Sequence, residues 1–163
     1  NKINSIKDEL KKINIKPNYN NDLKSTENLK NLNQQFEKIK IKNIINDKNK
    51  NIIKDKRIRN FQLRFQVITD LPPKELRNIV DKGKKEIKEG VLIVFSIFEN
   101  KVGVSVGITQ KLTDKYDAVD LVKEAAEILG GKGGGGRKDF AQAGGIYKDK
   151  IEEAFKALSI KIN

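Results

Sequence analysis

At Phe61 the hydrophobic period of this 163-residue chain changes from alternating threes and fours to two, which requires one polypeptide to build two kinds of structure. Upstream, Ile3, Ile6, Leu10 and Ile13 recur at helical spacing until Pro17 ends the seam. Asn21 or Asp22 can cap a second helix carrying Leu29, Leu32, Phe36 and Ile39, whose phase slips near Ile41, Ile44 and Ile45. These segments predict an α-helical hairpin or coiled-coil extension over residues 1–58. Its stripes either pack on each other and the neighbouring domain or self-associate. From Phe61 onward, Phe61, Leu63, Phe65 and Val67 face one way and Gln62, Arg64 and Gln66 the other, as in a half-buried strand.

Pro72 and Pro73 suit the opening of a helix with the apolar face Leu76, Ile79, Val80 and Ile87, stopped by Gly90. Val91 to Phe98 is a continuous apolar run of strand length, and Glu99-Asn100-Lys101 turns it into Val102, Val104, Val106 and Ile108. Asp114 is read as the cap of a helix carrying Ala118, Leu121, Val122, Ala125 and Leu129, with Gly130 at its end. Phe140 to Ala143 favours neither period, and Ile151, Ala154, Phe155 and Leu158 mark a last helix. The sum is an α/β domain over residues 59–163, a small mixed β-sheet with helices mainly on one face.

Eight of the twelve glycines lie between Gly130 and Gly145, in GGKGGGGRKDFAQAGG. Ordering them costs about 4 to 8 kcal/mol more than ordering alanines, comparable to a domain's net stability of roughly 5 to 15. Either the run is left mobile or something offsets that cost. Bare main chain can approach a ligand closely and offer N–H donors, and the cations beside it favour an anion such as phosphate. Gly131, Gly133 and Gly136 match G-x-G-x-x-G, but they follow a helix where a dinucleotide fingerprint follows a strand. Lys132 is followed by glycine, so no Walker A hydroxyl is offered to magnesium. A flexible linker would explain the glycines but not the patterned RKDFAQAGG.

Charge narrows the partner. Residues 1–60 carry sixteen Lys/Arg against seven Asp/Glu, and residues 61–163 eighteen against fifteen, so +9 of the +12 sits in the extension. Nucleic acid or an anionic membrane would each fit, as would a compositional bias toward Lys, Asn and Ile. With no cysteine and no histidine, disulfides, thiolate nucleophiles, His-based triads and His-rich metal sites are excluded, and no cofactor is expected. No stretch approaches 18 uninterrupted apolar residues and no secretory signal core opens the chain, which predicts a soluble, intracellular chain. The initial Asn1 in place of Met predicts a piece of a longer protein.

The stretch LGGKGGGGRKDFAQAGG, preceded by LPPKELRNIVDKGK, VLIVFSIFENKVGVSVGIT and DAVDLVKEAAEI, resembles the C-terminal end of alanyl-tRNA synthetases over roughly residues 59–160. That family shares the module with DHH phosphoesterases, where it is the DHH-associated substrate-binding domain. The resemblance implies a noncatalytic, cytoplasmic fragment, organellar if its parent carries a targeting segment. It implies tRNA as the partner rather than a membrane: the fragment is linked by helices to upstream catalytic and editing domains, engages the outer corner of tRNA, and in some members supports a homodimer. It places Lys132, Gly133, Gly134, Gly135, Gly136, Arg137 and Lys138 in an RNA-facing loop, with Gln142, Gly144 and Gly145 holding or extending it. Asp139 would cap the next turn or orient Arg137, and Phe140 would either stack on RNA or pack in the core. Two departures stand out: the family pattern has three glycines between lysine and arginine where this chain has four, and a proline is common where Lys138 stands. The rival expectations are a phosphoesterase's substrate-binding domain, whose catalytic Asp/His cluster would lie elsewhere, and a structural dimerisation module.

Overall fold

The computed structural model describes residues 25–163 and, before them, Asp8 alone. The seam Ile3 to Ile13, its Pro17 stop and the Asn21 or Asp22 cap lie outside the described residues. Helix α1, Ser25–Asn46, runs unbroken through the phase slip with Leu32 and Ile44 buried, and belongs to one compact unit. Residues 47–163 form the second.

The helical extension expected to reach residue 58 stops sooner. Asp47 to Lys50 form a turn, and β1, Asn51–Ile58, is an edge strand antiparallel to β2, Phe61–Thr69. The segment carries lysines at alternate positions 54 and 56 and is exposed along most of its length, so it has no apolar stripe to betray its period of two.

A 3-10 turn, Pro73–Glu75, leads into α2, Leu76–Ile87, and the chain returns as β3, Gly90–Phe98, parallel to β2. The helix ends at Ile87 and Lys88 makes the exit with φ of 61°, so Gly90 opens the next strand rather than stopping the helix. Glu99 and Asn100, at φ of 48° and 62°, form the tight hairpin turn into β4, Lys101–Ile108. Asp117, not Asp114, caps α3, Ala118–Ile128, accepting the Val119 N–H at 2.8 Å. Then follow β5, Gly134–Arg137, β6, Phe140–Gly145, and α4, Ile151–Ile162. The sheet order is β1-β2-β3-β4-β6-β5, with only the β2–β3 pair parallel.

Helices α3 and α4 share one face of the sheet. Ala118, Leu121, Val122, Ala125, Ile151, Ala154 and Leu158 enclose a core with Leu63, Phe65, Ile93, Phe95, Val104, Val106 and Ala141. Phe65 sits at its centre, 5.8 Å from the Phe95 ring and 4.4 Å from that of Phe155. The opposite face is covered by α2, which the strand glycines admit: a side chain at Gly103 would meet Leu76 and Pro73, and one at Gly107 would run into Val80. The polar side of β2 is therefore buried. Arg64, 9% exposed, is held bidentately by Asp55 at 2.8 and 2.9 Å and by Glu86 at 2.5 Å, which satisfies a charge that burial would otherwise make costly.

Candidate nucleic-acid interface

The glycine run is a hairpin, not a loop. Gly130, at φ of 73°, ends α3, and the Gly131 N–H reaches back to the Ala126 carbonyl at 2.7 Å. The chain then turns through Lys132 and Gly133 and pairs Gly134–Arg137 with Phe140–Ala143 at the edge of the sheet. Helix α3 clamps both ends of the hairpin. The Ala118 N–H donates to the Lys138 carbonyl at its tip, and the N–H groups of Ile146 and Tyr147 donate to the Leu129 carbonyl at its base, each at 2.8 or 2.9 Å. Much of the glycine content answers this packing. An added Cβ at Gly145 would lie 2.6 Å from the Leu129 carbonyl oxygen, and one at Gly134 2.6 Å from that of Gln142.

The hairpin divides the expected site in two. At its tip, Arg137 and Lys138 are exposed, and the Arg137 Nε–H donates to Asp139 at 3.2 Å. The other Asp139 carboxylate oxygen accepts from the Lys84 ammonium of α2 at 3.3 Å. Asp139 therefore orients Arg137, and its carbonyl also accepts the Ile108 N–H. At the base, Lys132, Gln142, Gly144 and Gly145 line one groove together with Lys101 and Gly131. Four strand residues at about 3.3 Å each put the two ends on the order of 10 Å apart. Gly133 to Gly136 join them.

Helix α2 contributes two cations that the glycine pattern does not reveal. Arg77 lies over the Phe140 ring, 5.4 Å from its centroid, and Lys84 binds Asp139. They stand seven residues apart, two turns of the helix, so they share one face about 10 Å apart along its axis, a relation that shows once the helix is located. Phe140 is half-buried under Arg77. Gln142 is fixed by an Nε2–H bond to the Pro73 carbonyl at 3.0 Å.

Burial, the largest single influence on Asp139, opposes its ionisation. The Lys84 hydrogen bond and charge, with the Arg137 charge, outweigh it and hold the carboxyl below the usual carboxylate range. A folded-state pKa below the unfolded value means that this contribution to stability is present above about pH 3.9 and lost as pH falls through the folded pKa. Asp139→Asn should therefore be less stable than the parent near neutrality and converge on it in acid. Thermal melts between pH 6 and pH 3 check this, and a constant gap across that range would remove the carboxylate from the account.

No helix among the described residues is long and apolar enough to cross a membrane. The DHHA1 domain family matches residues 60–163. The chain is 51% identical over 85 residues to the alanine–tRNA ligase of Hyphomonas neptunium and 45% identical over 91 residues to that of Parvibaculum lavamentivorans, covering 52% and 55% of this chain. It spans about a tenth of the length of these curated relatives, 10% of each. Among solved structures, the C-Ala domain from Aquifex aeolicus alanyl-tRNA synthetase is similar with a TM-score of 0.62 and 34% identity, over 66% of this chain and 96% of that one. A DHH domain from a protein described as a member of a family of ribosomal proteins has a TM-score of 0.51 at 16% identity, over 86% of this chain and 35% of that one, a likeness of fold alone. With two-thirds of its length matched at this level, the chain belongs to the DHHA1 domain family, among the C-terminal domains of alanyl-tRNA synthetases.

Proposed function

We propose that this chain is the noncatalytic C-terminal portion of an alanyl-tRNA synthetase, binding the outer corner of tRNA and thereby holding one tRNA for the aminoacylation and editing carried out by upstream domains. The observation that supports this reading best is the hairpin tip. Arg137 and Lys138 project from an edge that bears no other large side chain, and Asp139 sets the direction of the guanidinium. A planar guanidinium suits a phosphate bidentately, and a bare strand lets a ribose-phosphate backbone come close. The outer corner of tRNA presents phosphates, 2′-hydroxyls and a stacked tertiary pair, so shape and backbone contacts decide recognition there.

Comparing intact tRNA with an acceptor-stem hairpin that lacks the corner tests the reading. The intact molecule is expected to bind at least about tenfold more tightly, because only it brings folded-corner phosphates to the tip. Equal affinity for the two RNAs would reject recognition of the corner.

A further inference from the structure

Six of the eight glycines in the run have a reason inside the fold. Side chains at Gly131, Gly134, Gly136 and Gly145 would enter neighbouring main chain, and Gly130 and Gly133 sit at φ of 73° and 113°. Gly135 and Gly144 have none. An added Cβ at Gly135 meets nothing within 4 Å, one at Gly144 meets only the Val102 carbonyl oxygen at 3.7 Å, and neither residue has positive φ. Both are exposed and lie on the sheet face that carries Gln142 and Gly103. Glycine is a poor strand residue, and where no internal contact demands it, close approach by something outside the chain accounts for it.

Gly144 also lines the groove at the base of the hairpin. Its volume is about 830 Å³, within the roughly 300–1,000 Å³ typical of small-molecule sites. Its walls are mainly uncharged: Gly103, Gly131, Gly145, Ala143 and Ile146. Exposed Lys101 and Lys132 also line it, and Lys148, 3.3 Å from Asn100, stands beside the same turn. Next to Ile146, the Tyr147 ring lies against Gly130 and is 46% exposed. A glycine-rich floor beside cations complements the two halves of a nucleotide, an aromatic face and an anionic phosphate.

We propose that this groove seats a single nucleobase of bound RNA, its face against the exposed main chain at Gly144 and its phosphate toward Lys101 and Lys132. The inference rests on the RNA-binding reading above and adds a base seat to the phosphate grip at the hairpin tip.

Gly144→Val fills the groove at a position where the fold accepts a side chain. In the full chain it should weaken intact-tRNA binding by roughly five- to a hundredfold, the range of one lost base-stacking contact, with an unchanged melting temperature. Titration of the unmodified chain with guanosine monophosphate needs no variant. It should shift the amide resonances of Gly103, Gly131, Gly144 and Gly145 before those of Arg137 and Lys138, at concentrations far above those at which tRNA binds. Shifts confined to the tip, or none, would overturn the base seat, as would parental tRNA affinity in a folded Gly144→Val. Saturation by the mononucleotide at tRNA-like concentrations would make a free nucleotide the ligand and overturn the assignment to RNA. The double variant Arg137→Ala/Lys138→Ala separates the two readings: if only it loses tRNA affinity, RNA binding stands without the base seat, and if neither variant loses affinity, both fall.

Discussion

Gly131→Val is expected to melt roughly 4 to 15 °C below the parent, while Gly135→Val, four positions along the same run, melts within about 2 °C of it. A Cβ at Gly131 would collide with the Gly144 carbonyl and stand 3.2 Å from the Ala126 carbonyl oxygen. Neither atom can give way cheaply. The Gly131 N–H is bonded to Ala126 at 2.7 Å, and Gly144 is paired with Gly103 in the sheet. Overpacking against fixed main chain costs about 1–3 kcal/mol and occasionally more, and each kcal/mol lowers the midpoint of a domain this size by roughly 4–5 °C. At Gly135 the added side chain meets open space and valine suits a strand, so no comparable loss follows. Circular-dichroism melts of the two variants decide the matter. Equal melting would mean that the glycine run is not held as a packed hairpin.

That asymmetry between glycines explains what was legible in the sequence and what was not. The central strands were readable because Val91 to Phe98 and Val102 to Ile108 are long, bounded by a turn, and buried on both faces. The helix of Leu76, Ile79, Val80 and Ile87 was readable because its stripe is complete, and all four residues are buried. Strand β1 escaped because edge strands carry little apolar periodicity, and Asn51–Ile58 is exposed over six of its eight residues. The cap moved from Asp114 to Asp117 because a 3-10 turn, Gln110–Leu112, and the residues after it lengthen the connection, a feature without a hydrophobic signature. A run of glycines has no side-chain period at all. Its strand character comes from pairing with Phe140–Ala143 and from the clamp of α3, both tertiary effects. The candidate site was legible as a cationic glycine stretch. Its division into a charged tip and a neutral groove required the register, and the contribution of Arg77 and Lys84 required the position of α2.

Raising salt from 50 to 200 mM should weaken the tRNA complex by roughly 60- to 250-fold, if about four phosphates are neutralised and the logarithmic slope is near −3 to −4. The charge supports a slope of this size. Arg137 and Lys138 are exposed at the tip, Lys132 and Lys101 stand at the groove, and the chain carries +12 overall. Replacing Arg137 and Lys138 together by alanine removes two of these contacts and should reduce the slope by about 1.4 to 1.8, with the larger affinity loss at low salt, where screening is least. Gly144→Val, which removes no charge, should lower affinity at every salt concentration and leave the slope as it was. The two variants therefore move different parameters of one titration. A double variant whose slope equals the parent's would place the phosphate contacts elsewhere on the chain, and a parent complex indifferent to salt would contradict electrostatic recognition altogether.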